Sequence, residues 1–326
     1  MKLFASVFFF VGFSAVEANG GQQSAAVNGL HHLRQLISQV DEANAQGKVG
    51  RTQYQLPLPR PQYNLGPGEL EYFLQHSLIA GCDSQTIEAN RCFCQDKFVM
   101  ASVFLNTTMD AQAVVAVDPR NKLVVVSYRA TVSQINWDTN EDYQLVSYPN
   151  IGGNTMVHQG HLRHLLSIHY QMEPHVLQYL SDPRFSGYTL HLTGYSLGAS
   201  VAAISLPIWQ NALASHGFNN RIQMFTYSGS RPGNLEFALH LESMHIPIIR
   251  YAKKGDVVPH VPDQNMGYSQ VGQEYYDDGS LGMRHDPVKC SPILMEDINC
   301  SLGDTRFRPL NHVTPFQNQR MNPPYC

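Results

Sequence analysis

Short, largely apolar runs alternate with longer amphipathic stretches over most of the chain. Such runs are typical of strands buried inside a sheet, and they predict strands over residues 122–128, 188–193, 222–227 and 247–252. Apolar spacing predicts helices over residues 28–46, 69–78, 162–180, 197–213 and 235–244, and Pro174 should kink or restart the third of these. Strands that alternate with helices indicate an α/β fold, with a mostly parallel central sheet and helices on both faces.

The N-terminal residues have the pattern of a secretory signal peptide. Lys2 precedes an apolar run over residues 3–13, and the small residues that follow favour cleavage after Ala18. The run is short for a membrane span, although an uncleaved anchor is the alternative. No other apolar stretch in the sequence is long enough to cross a bilayer. We therefore expect a secreted, extracellular chain with a signal peptide at residues 1–18 and no transmembrane segment.

Residues 19–68 separate the signal peptide from the regular pattern that starts at residue 69. They contain the first predicted helix, followed by a stretch with Pro57, Pro59, Pro61 and Pro67. Closely spaced prolines favour extended backbone. This stretch is either a mobile arm that could belong to a pro-segment or an ordered strap across the surface, and the sequence leaves both open. We place the main domain at residues 69–326.

Composition excludes one class of partner and indicates the redox compartment. The chain has 326 residues and a formal net charge of −4, so it lacks the basic excess of a nucleic-acid-binding protein. Six cysteines in an exported chain are expected to form disulfides: Cys82, Cys92, Cys94, Cys290, Cys300 and Cys326. Spacing leaves the connectivity open, although a Cys290–Cys300 bridge would close a short loop. Asn106 and Asn299 lie in glycosylation sequons, and a bridged Cys300 would make Asn299 the poorer acceptor.

The stretch Gly194-Tyr195-Ser196-Leu197-Gly198 matches the G-x-S-x-G pattern of a nucleophile elbow. The pentapeptide alone is a weak signal, and the alternative is a glycine-rich turn in an ordinary strand–helix unit. It follows a predicted strand and opens an apolar predicted helix, which is the setting that an elbow requires. The flanking glycines fit a tight turn, because a Cβ there would collide with a neighbouring element. Ser196 is therefore the candidate nucleophile, with helix N-terminal N–H groups near the developing oxyanion.

A serine nucleophile needs a base, and in this arrangement the acid and the base follow it along the chain. Asp256 comes at the end of a predicted strand and is the candidate acid, with Asp263 as a lesser rival. The candidate bases are His260, His285 and His312. His260 is too near Asp256 in sequence to face it easily, and His285 lies in a loop rich in Asp and Gly. We favour His312, although the residues alone do not decide the choice.

Several stretches, taken in order, resemble the fungal-type class 3 lipases, which are α/β-hydrolases related to the feruloyl esterases. The elbow at 193–199 is similar to T-G-H-S-L-G-G/A, and Y-R-A-T at 128–131 resembles the F-R-G-S/T oxyanion segment. V-H-Q-G at 157–160 resembles V-H-x-G-F, and R-P-G-N at 231–234 resembles P-R-x-G-N. The loop at 255–262, called the acid loop here because it contains Asp256, resembles D-x-V-P-x-x-P, and Q-E-Y-Y at 273–276 resembles E-Y-W. Tyr195 and Ala130 depart from the family pattern. The resemblance covers about residues 70–326.

The resemblance implies a serine ester hydrolase that forms an acyl-enzyme and needs no cofactor or metal. It assigns Ser196 as the nucleophile, Asp256 as the orienting acid and His312 as the general base. The oxyanion donors that it implies are Thr131, through its backbone N–H and its hydroxyl, and the backbone N–H of Leu197. Histidines at positions 158, 161, 164 and 169 have no Cys or acidic partner and do not indicate a metal site.

The resemblance also implies a lid over residues 132–149, and the lid bears on the substrate. Its candidate contact residues are Ile135, Trp137, Tyr143 and Leu145, of which we expect Ile135 and Trp137 to bury against the pocket. The centre, residues 138–142, is polar and acidic, as in the open lids of feruloyl esterases. We expect a lipase for triacylglycerol or other acylglycerols at a lipid–water interface. The alternatives are a carboxylesterase for soluble or aryl esters and an inactive lipase-like lipid-binding protein. Acyl-chain preference and oligomeric state stay open.

Overall fold

The computed structural model describes residues 20–60, 63, 65–66, 68–82, 98–149, 151–279 and 287–314. The helices are α1 (Gly20–Ala45), α2 (Glu69–Leu78), α3 (Gln134–Glu141), α4 (Gln159–Ser181), α5 (Leu197–Ser215), α6 (Leu235–Ser243) and α7 (Pro309–Val313). The strands are β1 (Met100–Asn106), β2 (Ala111–Asp118), β3 (Leu123–Tyr128), β4 (Leu145–Ser147), β5 (Met156–His158), β6 (Thr189–Tyr195), β7 (Ile222–Tyr227), β8 (Gly233–Asn234), β9 (Ile248–Lys253), β10 (Tyr268–Ser269), β11 (Gln273–Asp277) and β12 (Val288–Lys289). The predicted signal peptide lies outside the described residues.

Eight strands form the central sheet, in the order β1-β2-β3-β6-β7-β9-β11-β12. Neighbours from β3 to β11 are parallel, while β1 and β2 at one edge and β12 at the other are antiparallel. The mostly parallel sheet agrees with the prediction. The prediction lacks β1 and β2, although the continuous buried run of β2 carries the signal that would have identified it. Four short strands form a second, antiparallel sheet in the order β10-β8-β5-β4. Its edge strand β4 follows α3 in the chain.

Helices cover both faces of the central sheet, which is why its strands are apolar throughout. Val115 of β2 packs in one cluster with residues of α4 and α5, whereas the adjacent Val114 packs in a second cluster with residues of α1 and α2. This alternation follows from the two-residue period of a strand. Contrary to the expectation that no second stretch is long enough to cross a bilayer, helix α5 is long and apolar enough to do so, but most of it is buried in this core.

Prolines lie inside α4 and α5 without ending either helix. The restart that we expected at Pro174 therefore does not occur. Pro174 is exposed on the solvent side of α4, whereas Met172 and Val176 beside it are fully buried. The carbonyl group that a proline leaves without its helical partner can be hydrated there. Burial of the opposite face thus stabilises a continuous helix.

Residues 51–60 form an ordered strap across the surface, so the mobile arm is wrong for this stretch. The N–H of Leu56 donates to the carbonyl of Ile293 at 2.8 Å. Arg60 is buried and forms an ion pair with Glu242 at 2.8 Å. Just before the strap, the N–H of Gly50 donates to the carboxylate of Asp263 at 3.1 Å. The prolines therefore favour an extended segment that other residues hold in place.

A disulfide joins Cys290 and Cys300, the pair that the short loop suggested. Cys82 is also disulfide-bonded, while Cys92, Cys94 and Cys326 lie outside the described residues. The side-chain amide of Asn106 donates to the carbonyl of Ser167 at 3.1 Å. Asn299 is exposed beside the bridged Cys300. Glycosylation of either asparagine stays a prediction.

Candidate active site

Ser196 lies on the turn between β6 and α5. Its φ is 55°, in the left-handed region that residues other than glycine rarely adopt. A Cβ at Gly194 would overlap the backbone of Gly198, and a Cβ at Gly198 would overlap the carbonyl of Tyr128 in β3. Both glycines are therefore required by close backbone approach. The turn has the strand–turn–helix setting of a nucleophile elbow.

Ser196, His312 and Asp256 form one hydrogen-bonded chain. The Oγ of Ser196 is 2.9 Å from Nε2 of His312. The Nδ1 of His312 is 3.0 and 3.1 Å from the two carboxylate oxygens of Asp256, which is fully buried. An ionised carboxylate can only accept, so Nδ1 carries the proton and Nε2 is free to accept the serine proton. This arrangement can activate the hydroxyl as a nucleophile.

The rival residues lie in other settings. His260 lines a cavity in front of Ser196. Its Nε2 has no hydrogen-bond partner in the described part of the chain. Burial lowers the pKa of His260 to about 3. Asp263 accepts N–H groups from Gly50 and Asn265 instead of orienting an imidazole. His285 lies outside the described residues. The structure thus brings His312, and not His260, beside the serine.

Backbone contacts join the two segments that carry the acid and the base. The carbonyl of Gly255 accepts the N–H of Arg308 at 3.0 Å, just before α7. The side-chain amide of Asn311 donates to the carbonyl of Lys254 at 2.8 Å. Gly255 has a φ of 70°, and a Cβ there would contact the side chain of Asn311. These contacts hold the carboxylate and the imidazole at a constant separation.

Tyr195 supports the base in a way that the sequence did not indicate. Its hydroxyl donates to the backbone carbonyl of His312, and the two rings are 5.5 Å apart between centroids. Burial and the nearby charge of Asp256 raise the pKa of Tyr195 well above its ordinary value. The phenol therefore stays neutral and keeps its donor. This departure from the family pattern holds the backbone that carries the base.

Thr131 and Leu197, the predicted oxyanion donors, follow adjacent parallel strands. Tyr128 of β3 is in register with Gly194 of β6, so both segments emerge at the same edge of the sheet near Ser196. Leu197 begins α5, and the first N–H groups of a helix have no partner within it. The hydroxyl of Thr131 accepts a hydrogen bond from the side-chain amide of Asn140 at 3.0 Å.

The predicted lid, residues 132–149, folds into α3 and β4. The Oγ of Ser133 caps α3 by accepting the N–H of Asn136 at 3.3 Å. Asn136 is fully buried, accepts the N–H of Val132 at 3.0 Å and donates to the carbonyl of Asp110 at 3.1 Å. These hydrogen bonds join the start of α3 to the loop before it and to residue 110, which precedes β2.

The four predicted lid residues have different environments. Trp137 and Tyr143 line the cavity in front of Ser196. Ile135 is 42% exposed on the outer side of α3, so the expectation that it packs against the pocket is wrong. Ile135 and Trp137 are two residues apart, which is roughly 200° around a helix. Their side chains therefore point to nearly opposite sides of α3. Leu145 belongs to β4, where it pairs with β5.

Ser196 opens into a cavity of about 730 Å³ that α1, α3 and the acid loop surround. Helix α1 contributes His32, whose ring stacks on Trp137 with centroids 4.6 Å apart and planes at 17°. The Nε2 of His32 is 3.3 Å from Oε1 of Gln134. Leu36 and Val40 of α1 line the same cavity. The N-terminal helix therefore packs against the lid and forms one wall of the candidate site.

Residues 125–266 match the family model of the class 3 lipases. Over this range the chain is similar to the class 3 lipases. The matched range includes Thr131, Ser196 and Asp256 and ends before His312. The position of the base therefore rests on its hydrogen bonds to the serine and the carboxylate.

Two curated lipases illustrate the similarity of the chain to known proteins. The lipase of Rhizomucor miehei is 26% identical over 213 residues, which are 64% of this chain and 57% of the relative. The secreted mono- and diacylglycerol lipase 1 of Fusarium solani is 26% identical over 261 residues, which are 76% of this chain and 75% of the relative. The chain therefore spans just over half the length of the first relative.

Solved lipase structures have the same fold. A triacylglycerol lipase whose catalytic centre is formed by a serine protease triad has a TM-score of 0.62 at 26% identity, over 75% of this chain and 92% of that chain. The native propeptide complex of Rhizomucor miehei lipase has a TM-score of 0.62 at 25% identity, over 81% of this chain and 86% of that chain. These similarities confirm the predicted α/β-hydrolase fold.

Proposed function

We propose that this protein is a secreted acylglycerol lipase, which hydrolyses lipid esters such as triacylglycerol at a lipid–water interface. The observation that carries the proposal is the hydrogen-bonded chain from Asp256 through His312 to Ser196, which opens into a large cavity. The relatives named as lipases of mono-, di- and triacylglycerol support the substrate class. The N-terminal signal pattern and the secreted relative support export.

The reaction follows from the positions of these groups. His312 accepts the hydroxyl proton as Ser196 attacks the ester carbonyl carbon, and Asp256 stabilises the imidazolium that forms. The backbone N–H groups of Thr131 and Leu197 bind the oxyanion that develops in this step. When the intermediate collapses, His312 returns the proton to the leaving glycerol oxygen. Water then attacks the acyl-enzyme with the same base, which releases the fatty acid and regenerates the serine.

The walls of the cavity fit an acyl chain. Apolar side chains from α1, from α3 and from the loop after the acid line it: Leu36, Val40, Trp137, Val258, Val261 and Met266. Burial of methylene groups against such walls contributes roughly 0.8 kcal/mol per group. A long acyl ester therefore gains binding free energy that a short soluble ester lacks.

One observation favours a second candidate, a carboxylesterase for soluble esters. The exposed face of α3 is mostly polar, with Gln134, Asp138 and Glu141 in solvent beside Ile135. A lid that opens onto lipid usually presents a larger apolar face. The esterase candidate predicts that the rate is unaffected when the substrate forms an interface.

Fatty-acid release distinguishes the candidates. The substrates are emulsified long-chain triacylglycerol, the matching diacylglycerol and a soluble short-chain ester, assayed with the wild type and with Ser196→Ala. We expect release from the emulsions, with a rate jump at the solubility limit, and its loss in the variant. Activity on the soluble ester alone would establish the esterase. Inactivity on all three substrates, with no labelling of Ser196 by a fluorophosphonate, would leave a lipid-binding protein.

We also propose that α1 is a removable cover of the site, and that the strap belongs to the domain. The α1 wall and the stack of His32 on Trp137 hinder entry of a bulky ester and opening of α3. The turn after α1 is exposed at residues 45–48, where a protease can reach it. The similar structure of a lipase with its propeptide supports this role.

Specific proteolysis tests the cover. A protease recognition sequence placed at residues 46–48 allows α1 to be cut from the strap after folding, and the unmodified chain treated with the same protease is the control. We expect the cut to raise kcat/KM on emulsified triacylglycerol several-fold and to change the rate on the short ester less. Unchanged or reduced activity after complete cleavage and release would show that α1 is an integral part of the domain.

A further inference from the structure

Three side chains form a second hydrogen-bonded chain that ends at the oxyanion segment. The Nε2 of His161, in the first turn of α4, is 3.3 Å from Oδ1 of Asn140 in α3. The Nδ2 of Asn140 donates to Oγ1 of Thr131 at 3.0 Å. His161 and Asn140 both line the cavity in front of Ser196. The fungal pattern V-H-x-G-F has Phe at the position of His161, so this contact is a departure of this chain.

The partners define which atoms carry protons. Oδ1 of Asn140 can only accept, so His161 must donate from Nε2. His158 also carries its proton on Nε2. That atom is 3.2 Å from the carbonyl oxygen of Asn140, which can only accept, and Nδ1 of His158 accepts the N–H of His161 at 3.4 Å. The other tautomer of His161 would place an N–H on Nδ1, which is buried and has no partner among the described residues. The Nε2–H tautomer is therefore favoured.

Burial keeps this imidazole neutral and in place. His161 is 1% exposed, and its ring stacks on His158 with centroids 3.6 Å apart and planes at 5°. Burial and the neighbouring His158 and His164 hold the pKa of His161 well below its ordinary value. A Cβ at Gly160 would overlap the carbonyl of Thr139, so α3 and α4 are in backbone contact beside the ring. The donor on Nε2 is thus available throughout the neutral range.

The orientation of the Asn140 amide decides what the hydroxyl of Thr131 can do. With Nδ2 facing Thr131, Oγ1 accepts, and its own proton remains free to point at an oxyanion. With the amide turned by 180°, Oδ1 would accept the hydroxyl proton and remove it from the site. The N–H of His161 disfavours the turned amide, because two donors would then face each other.

We propose that His161 is a positioning residue for the oxyanion hole, which holds the Asn140 amide so that the Thr131 hydroxyl donates to the oxyanion. This inference rests on the proposed hydrolase function. It extends that function, because it makes the side-chain donor of Thr131 depend on a histidine outside the triad. The loss of one oxyanion donor lowers kcat roughly 100- to 1,000-fold in other hydrolases. Because the amide in His161→Phe can still adopt either orientation, we expect a smaller loss of about tenfold.

A double-mutant cycle with Thr131→Val tests the mechanism on a soluble short-chain ester. Val keeps the backbone N–H of residue 131 and removes the hydroxyl. We expect His161→Phe to lower kcat about tenfold with little change in KM in the wild-type background. In the Thr131→Val background it should change kcat less than about twofold, because the hydroxyl that it acts through is absent.

Three further variants separate positioning from packing. His161→Gln can place an amide N–H near the former Nε2 and should recover most of the loss, whereas His161→Asn places its amide nearer Nδ1 and should not. His164→Phe is the matched control, since His164 is equally buried one turn along α4 and makes no hydrogen bond from its imidazole to Asn140 in the described part of the chain. Thermal unfolding of each variant gives its stability independently of kcat.

The outcomes are distinguishable. Equal losses from His161→Phe in both backgrounds, or equal kcat values for the Gln and Asn variants, would overturn the positioning role and leave only packing. Wild-type kcat in Thr131→Val, with activity lost in Ser196→Ala, would overturn the inference and leave the hydrolase function intact. Undiminished activity in Ser196→Ala would instead refute the proposed function.

Discussion

The buried ion pair between Arg231 and Glu296 should be the most sensitive electrostatic contact around the site. Arg231 is 1% exposed and Glu296 is 4% exposed. The guanidinium binds the carboxylate through two contacts, Nε to Oε1 at 3.1 Å and Nη2 to Oε2 at 2.7 Å. Its Nη1 also donates to the carbonyls of His260 and Pro262, which belong to the acid loop. The pair therefore connects a family motif to the segment that carries Asp256.

The substitution Glu296→Gln removes the negative charge and keeps the shape. It leaves the buried guanidinium without its counter-ion, which costs about 3–5 kcal/mol of unfolding free energy. At about 2 °C per kcal/mol for a chain of this size, the melting temperature should fall by roughly 6–10 °C. Replacement of both partners by apolar residues, Arg231→Met with Glu296→Leu, should cost no more than the single change, because no uncompensated charge remains.

Calorimetric unfolding of the wild type, Arg231→Met, Glu296→Leu and the double variant measures this coupling. Glu296→Gln is measured beside them. Single losses that simply add in the double variant would refute the reasoning, since they would mean that each side chain stabilises the fold independently. Loss of less than about 1 kcal/mol in Glu296→Gln would equally contradict it, because that is the range of solvent-exposed pairs.

The pKa of Glu296 determines how the stability difference between the wild type and Glu296→Gln depends on pH. Burial acts to raise that pKa, but the charge and hydrogen bonds of Arg231 hold it below its ordinary value. A group with a lowered folded pKa contributes its full stability above the unfolded value, which is about 4.3 for glutamate. The contribution is lost as the pH falls through the lower, folded pKa. The stability gap between the wild type and Glu296→Gln should therefore be constant near neutral pH and narrow in acid.

Two other substitutions test separate parts of the site. Tyr195→Phe should leave the His312 carbonyl without its donor and lower the free energy of unfolding by about 1–3 kcal/mol. It should also lower kcat more than it raises KM. An unchanged kcat in the folded variant would contradict a role of Tyr195 in holding the base. Replacement of both Cys290 and Cys300 by Ser opens a bridge with a sequence separation of 10 and should cost about 3 kcal/mol by the chain-entropy relation. Calorimetry with and without reductant checks it, and an unchanged melting temperature would show that the loop is held by its hydrogen bonds alone.

Local features of this protein could be predicted because they depend on neighbours in the chain. The G-x-S-x-G turn, the strand before it and the helix after it are set by periodicity and by steric demands within a few residues. The bounds predicted at residues 69–78 and 222–227 are those of α2 and β7. Ser196 could therefore be proposed as the nucleophile without any tertiary information.

Contacts between distant segments were decided only by the tertiary structure. His312 is 116 residues from Ser196, and the residues alone did not separate it from His260. The structure separates them because α7 brings His312 beside the serine, whereas His260 packs against Phe307 and lacks a partner at Nε2 among the described residues. The position of a histidine in the chain does not specify the direction of its ring.

In the outer parts of the site, too, the local sequence determined some features and the tertiary structure decided others. The prolines at residues 57 and 59 determined an extended backbone, but hydrogen bonds to residues 292–295 decided that the strap is ordered. The lid sequence determined a polar centre, but the tertiary structure decided that this segment forms a helix in which Trp137 faces the cavity and Ile135 faces solvent. Likewise, a histidine at position 161 has chemical meaning only because α3 brings Asn140 to it. Local sterics act within a few residues along the chain, whereas burial and hydrogen bonding act between residues that only the complete fold brings together.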